Sequence, residues 1–202
     1  MKIGYKATYD FVCRDFKFEI GQTYELSEKP IMCSRGFHYC KNARNTLKHY
    51  SYTRRFKLLE IEDLGLFTIE ENDKSCTDKI RIIREINDPD ELIQLIGCHR
   101  IYNENGKLFR CKDSYGYWYE YTYDKNGNVS TYKHSRGFSY EQTHNENGSL
   151  LNYKDSNGYF SESTYDHNGC RLTHKNSSGY FSESTYDENG YEITKRETYS
   201  KV

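Results

Sequence analysis

No stretch of the 202-residue chain approaches the roughly 18 apolar residues that a membrane-spanning helix needs. The opening segment, Met1 to Asp10, has no apolar signal region. The expected location is therefore the cytoplasm, that of a host cell if the protein is viral, with no membrane partner. An excess of either charge is also missing: 29 Lys and Arg stand against 30 Asp and Glu, and neither half is strongly biased. Without a basic footprint, duplex nucleic acid is not an expected partner. The seven cysteines, an odd number, lack the spacing of a disulfide framework, so free thiols are expected. Neither a Gly-rich dinucleotide loop, a P-loop, an H-E-x-x-H pair nor a G-x-S-x-G elbow occurs. Hydrophobic residues make up only 35%, which would favour disorder, but 21 Tyr, 10 Phe and 1 Trp supply apolar faces that disordered chains lack. The chain reads as folded, with tyrosine in place of much aliphatic core.

What is present, above all, is repetition. Asn-Gly dipeptides end at Gly106, Gly127, Gly148, Gly169 and Gly190, 21 residues apart, and a second glycine series runs through Gly116, Gly137, Gly158 and Gly179. Two turn signals separated by strand-length runs make each unit a β-hairpin, so residues 101–202 read as an antiparallel meander of about nine short strands. Ser135-Arg136-Gly137 and its equivalents are expected to offer a hydroxyl to the local backbone. In one strand of each unit Trp118, Phe160 and Phe181 form a column, beside columns of Glu (Glu120, Glu141, Glu162, Glu183) and Thr (Thr122, Thr143, Thr164, Thr185). Strict alternation puts all three columns on one face, with Lys112, Lys133, Lys154 and Lys175 placed to neutralise the Glu ladder. Tyr117, Trp118, Tyr119, Phe138, Tyr140, Phe160 and Phe181 are the candidate partner-binding set, and a host protein is the expected partner. The same rings would stack on a glycan or on single-stranded bases; rings that fill the repeats' own core are the alternative.

The repeats resemble RHS or YD repeats through Thr122 to Asn128 (TYDKNGN), Thr164 to Cys170 (TYDHNGC) and Thr185 to Tyr191 (TYDENGY), although one unit carries His144-Asn145 in place of Tyr-Asp. In large RHS proteins such repeats form a β shell around a toxin. Four units without a toxin domain imply an open ribbon instead.

Residues 1–100 read as a small α+β module. Gly4 to Tyr9, Cys13 to Phe18, Gly21 to Leu26, Phe37 to Cys40, Phe56 to Ile61 and Lys79 to Ile86 have strand character. Ala43, Leu47 and Tyr50 lie on one face of a helix of about three turns. A second helix is predicted from Asp88 as N-cap, Pro89 at N1 and Glu91 at N3, closing a capping box and stopping at Gly97. The runs GYKAT (Gly4 to Thr8), FVCRDFKFEIGQTYE (Phe11 to Glu25), CSRGFHYC (Cys33 to Cys40) and DKSCTDKIRIIREI (Asp73 to Ile86) resemble an uncharacterised family of phage and prophage proteins. That resemblance implies a viral origin and no particular activity.

No residue is designated catalytic, and no cofactor or metal is expected. Cys33, His38 and Cys40, with Cys13 further off, have the soft atoms that zinc prefers, but C-x4-H-x-C matches no standard knuckle. An enzyme reading is similar in layout to ADP-ribosyltransferases, in which Tyr5, Lys6, His38 and Glu85 or Asp73 would grip a nicotinamide nucleotide. The Arg or His before a hydroxyl residue, the Ser-Thr-Ser element and the Glu-x-Glu of those enzymes are absent. The leading expectation is a non-enzymatic binding protein of phage origin that blocks a host or defence protein.

Overall fold

Alternation and turn chemistry account for most of the architecture of the computed structural model, which describes residues 2–14 and 16–200. Strand β1 (Lys2–Tyr9) lies between β6 (Phe56–Asp63) and the short β2 (Val12–Cys13) and β3 (Phe16–Lys17). With β9 (Lys79–Ile86) and β4 (Thr23–Glu25) they form one antiparallel sheet in the order β3-β2-β1-β6-β9-β4. A three-stranded sheet, β5-β8-β7, combines β5 (Phe37–Tyr39) with a hairpin of β7 (Thr68–Glu71) and β8 (Lys74–Thr77). Helix α1 (Pro89–Ile96) follows β9.

Two apolar clusters hold these elements. Ala7, Phe56, Leu58 and Ile86 pack with Ala43, Leu92 and Ile96, while Leu59, Ile61, Ile80 and Ile82 pack with Phe18, Phe37 and Tyr39. Leu59, Ile61, Ile80 and Ile82 are wholly removed from solvent, and burial of each stabilises the fold by about 1.5–3 kcal/mol. Adjacent residues such as Leu58 and Leu59 fall into different clusters because successive side chains leave opposite faces of a strand.

Three local expectations are corrected. Instead of one strand over Cys13 to Phe18, the chain turns back, pairing Val12 with Lys17 and Cys13 with Phe16, and Arg14 adopts φ 53°; Asp15 lies outside the described residues. The helix after Asn42 is a six-residue 3-10 helix, Ala43–Lys48, capped by the Asn42 side chain. The Thr46 hydroxyl bonds the Ala43 carbonyl within it, a competing local bond of the kind that disfavours long α-helices. At α1, Asp88 accepts from the Glu91 amide as predicted, but the Glu91 carboxylate takes both terminal nitrogens of Arg84 rather than closing the capping box. Arg84 also donates to Glu60, which ties helix and sheet together.

From Cys98 to Tyr199 the chain is a meander. The ten strands β10 (Cys98–Tyr102), β11 (Leu108–Asp113), β12 (Trp118–Tyr123), β13 (Val129–His134), β14 (Ser139–His144), β15 (Leu150–Asp155), β16 (Phe160–Tyr165), β17 (Arg171–Asn176), β18 (Tyr180–Tyr186) and β19 (Glu192–Tyr199) follow one another in a single sheet. Two compact units divide the chain, Met1–Gly116 and Tyr117–Val202, so the hairpin of β10 and β11 belongs with the first. Tyr102 there donates to the Tyr52 carbonyl, and Arg54 donates to the Glu104 carbonyl.

The turns explain the 21-residue period. Asn103, Asp124, Asn145, Asp166 and Asp187 each accept two backbone amides, two and four residues on, and the glycine three residues on has φ of 76–85°. Asn145 makes the same turn as its aspartate counterparts, so the departure at His144-Asn145 keeps the geometry. At the other turns the local acceptor is Asp113, His134, Asp155 or Asn176. The hydroxyls of Ser135, Ser156 and Ser177 bond a backbone amide 17 residues earlier, across to another strand, rather than the local backbone.

Candidate functional site

Two places gather chemistry, one in each unit. In the first, β1 alternates Tyr5 and Ala7 toward one cluster and Lys6 toward the other. Mutual backbone bonds of 2.7 Å between Tyr5 and Cys40 carry the chain leaving β5 against β1. Lys6, 5% exposed, donates to the His38 carbonyl at 2.9 Å and sits 4.9 Å from the Phe18 ring. Burial pushes its pKa down, and the groups that act against that are the thiols of Cys13, Cys76 and Cys40.

His38 accepts the Cys33 amide on Nε2 at 2.9 Å. Burial first, then the charges of Lys6, Lys74 and Arg14, lower its pKa to about 4, so the imidazole is neutral at neutral pH. Arg14 donates to the Ser34 and Cys33 carbonyls at 2.9 Å each, and Lys74 donates to Cys33 Sγ at 3.0 Å. Cys13 Sγ and the Tyr50 hydroxyl are 2.9 Å apart. Burial lifts the Cys40 thiol to about 11, which keeps it protonated and poorly nucleophilic. These residues line a cavity of about 280 Å³.

Of the enzyme layout, Tyr5, Lys6 and His38 do meet in this cavity, but among the described residues no carboxylate joins them. Glu85 pairs with Lys57 at 2.9 Å beside a different hollow, near Tyr52 and Arg100. Asp73 pairs with Lys48 at 3.2 Å. For the zinc layout, among the described residues no three His, Cys, Asp or Glu side chains are grouped to hold a metal. The loop residue Arg14 and the β8 residue Lys74 escaped sequence reasoning, because nothing in their local pattern ties them to β1.

A buried carboxylate was missed as well. Asp63, 8% exposed, accepts from Thr77 at 2.7 Å and from Tyr39, Thr68 and the Gly65 amide at 2.9 Å. Burial acts to raise its pKa, but these four donors outweigh it and bring the pKa below the ordinary 3.8. Its hydrogen bonds are structural, pinning the 64–68 segment to β8.

In the second unit the two faces of the sheet differ. Cross-strand partners Glu120 and Lys133, Glu162 and Lys175, and the Thr122–Thr131, Thr164–Thr173 and Thr185–Thr194 pairs lie on one face, as alternation predicts. The ion pairs are 2.8 and 2.7 Å, and each Thr pair is 2.7 Å. Trp118, Phe160 and Phe181 share that face. Tyr117, Tyr119, Phe138 and Tyr140 lie on the other, so the candidate partner-binding set is split between two surfaces.

On this second face the rings of Tyr119, Tyr121, Tyr132, Tyr140 and Tyr153 run as neighbours, with centroids 5.0–6.4 Å apart across β12 to β15. Tyr121 and Tyr153, absent from the candidate set, belong to the row. Partial burial raises the phenol pKa of Tyr121, Tyr132, Tyr140 and Tyr153, so all remain neutral.

A family model described as a domain of unknown function, DUF7666, matches residues 2–94. No curated protein matches the chain. Among solved structures, the crystal structure of TcdB2-TccC3-Cdc42 is similar over 83% of this chain and 8% of that one, at 13% identity and a TM-score of 0.45. The crystal structure of TcdB2-TccC3 is similar over 72% and 7%, at 12% identity and a TM-score of 0.43. A Photorhabdus luminescens Tc holotoxin pore structure is similar over 73% and 7%, at 13% identity and a TM-score of 0.42. This chain thus spans less than a tenth of the length of each.

Proposed function

We propose that the protein is a non-enzymatic binding protein whose repeat sheet engages a partner protein through the tyrosine face of β12 to β15. The observation that carries this reading is the row Tyr119, Tyr121, Tyr132, Tyr140 and Tyr153 on one face of a sheet whose unit contains no second layer. Among the described residues of that unit only Ser161, Ser182 and Ser184 are buried, so the rings do not close an apolar core of their own. Tyrosine is favoured at protein interfaces because it brings a large rigid ring and a hydroxyl at low entropic cost, and each central anchor contributes roughly 2 kcal/mol or more.

Single-stranded nucleic acid is the weaker fit, since the row itself contains no Lys or Arg for phosphates. The likeness of the first module to phage and prophage proteins supplies the setting: a phage product acting in the host cytoplasm to bind and block a host or defence protein. The RHS-like character of the repeats fits an open ribbon in that role.

The test uses the two faces against each other. Host proteins captured by the wild-type chain are compared with those captured by Tyr119→Ser/Tyr140→Ser and by Trp118→Ser/Phe160→Ser, with circular dichroism to verify that each variant is folded. Loss of a specific captured protein in the first variant but not the second supports the tyrosine face. Equal capture by all three, or loss only in the second, rejects it.

A further inference from the structure

Lys6, Arg14 and Lys74 reach the cavity of the first unit from three separate segments: β1, the turn between β2 and β3, and β8. Among the described residues no Asp or Glu lines it. Lys6 is 5% exposed, and among the described residues its ammonium meets the His38 carbonyl, the Phe18 ring and thiols but no carboxylate. A charge withdrawn from water without a counter-ion costs several kcal/mol, so a lysine kept there for packing alone would be replaced to advantage by an apolar residue.

The other two cations retain hydrogen-bonding capacity. Arg14 uses each terminal nitrogen once, on Ser34 and Cys33, leaving one N–H on each and the Nε–H. Lys74 directs one of its three N–H bonds to Cys33 Sγ. His38 lines the same cavity, and the charges of all three act on its imidazole. Tyr5 and Tyr50 complete the wall, and 280 Å³ lies near the small end of ligand pockets, about 300–1,000 Å³.

We propose that this cavity binds a small dianionic oxyanion, a phosphate group either free or carried on a compact organic molecule, with Lys6 as the buried anchor and Arg14 and Lys74 holding it from the rim. A dianion answers three cations better than a carboxylate does, and it supplies several acceptor oxygens for donors that arrive from different directions. The site is distinct from the tyrosine face and does not depend on it.

The experiment is isothermal titration of the full chain at low ionic strength with inorganic phosphate, phenyl phosphate and acetate. Saturable one-to-one binding of phosphate or phenyl phosphate, with acetate much weaker, is expected. The stronger of the two phosphates distinguishes a free anion from one carried on an organic group. Lys6→Met, which keeps an unbranched side chain one atom shorter and removes the buried charge, is expected to weaken binding at least tenfold without loss of fold. Arg14→Gln and Lys74→Gln remove charges at the rim, and each should weaken it several-fold; they keep the test decisive if Lys6→Met does not fold. Absence of binding at millimolar phosphate overturns the proposal. So does binding that the folded variants leave unchanged, which would mean non-specific attraction.

Discussion

The two units solve the same problem, a β-rich chain poor in aliphatic residues, by opposite means. The first sets Leu58, Leu59, Ile61, Ile80, Ile82 and Ile86 on β6 and β9 almost wholly out of solvent, with charged groups arranged around them in pairs such as Arg84 with Glu60 and Glu91. Among its described residues the second has no comparable core, and it relies on hydrogen-bonded turns, Thr and Glu–Lys ladders and contacts between tyrosine rings. In the first unit stability comes from a few deep residues. In the second it is spread thinly over every repeat, the pattern expected when each unit is stabilised mainly by its neighbours. Such a sheet spreads its chemistry over two faces, while the first unit holds its chemistry in a hollow.

Mutation should expose that asymmetry. Ile61→Ala in the first core should cost about 2–5 kcal/mol in denaturant unfolding, the range for truncating a fully buried aliphatic side chain. Acid should come next, and should act on the first unit. His38 has a folded pKa of about 4 against an ordinary 6.5, so the unfolded state binds more protons and stability falls as pH drops from 6.5 toward 4. Asp63 adds to the loss further down: its depressed pKa contributes stability above about 3.8, and that is lost as pH falls through its folded value. Melting curves across this range should be flatter for His38→Gln at the upper end and for Asp63→Asn at the lower.

Changes in the repeats should be milder. Tyr140→Ala removes contacts with Tyr132, Phe138 and Tyr153 and should cost at most about 1.5–4.5 kcal/mol, at roughly 0.5–1.5 for each aromatic pair and toward the low end because the rings are half-exposed. Asp166→Ala removes the acceptor for two turn amides and should cost about 1–2 kcal/mol, whereas Asn145→Asp should be nearly neutral because both residues make the same turn. Smallest of all, a double-mutant cycle on Glu162 and Lys175, both about half exposed, should give under about 1 kcal/mol. A loss in any of these repeat variants as large as that of Ile61→Ala would break the contrast.

The sequence shows the second unit more fully than the first for a physical reason. Positive φ at a fixed step is written in glycine, and strict alternation assigns faces, so strands, turns and polar ladders can all be read from residue order. Alternation also shows that Tyr117, Trp118 and Tyr119 cannot share one surface; grouping them by residue type hid this. In the first unit α1 is announced by Asp88, Pro89 and Gly97, but the hairpin of β7 and β8 is not. Its turn uses Asn72 at φ 49° without a glycine, and its strands are mostly polar. The cavity was half visible: Tyr5, Lys6 and His38 stood out as chemistry-bearing residues. Glu85 and Asp73 are engaged elsewhere, and Arg14 and Lys74 arrive through turns and pairings that no local pattern encodes.

Hydrogen exchange measured by mass spectrometry on the intact chain tests the central contrast most directly. Amides of β1, β6 and β9, which enclose the two apolar clusters, should exchange only through global unfolding of the first unit. Those of β16 to β18 should exchange much faster through local opening, because little apolar surface is buried there. Equal protection of β6 and β17, lost together in one cooperative step, would contradict the account.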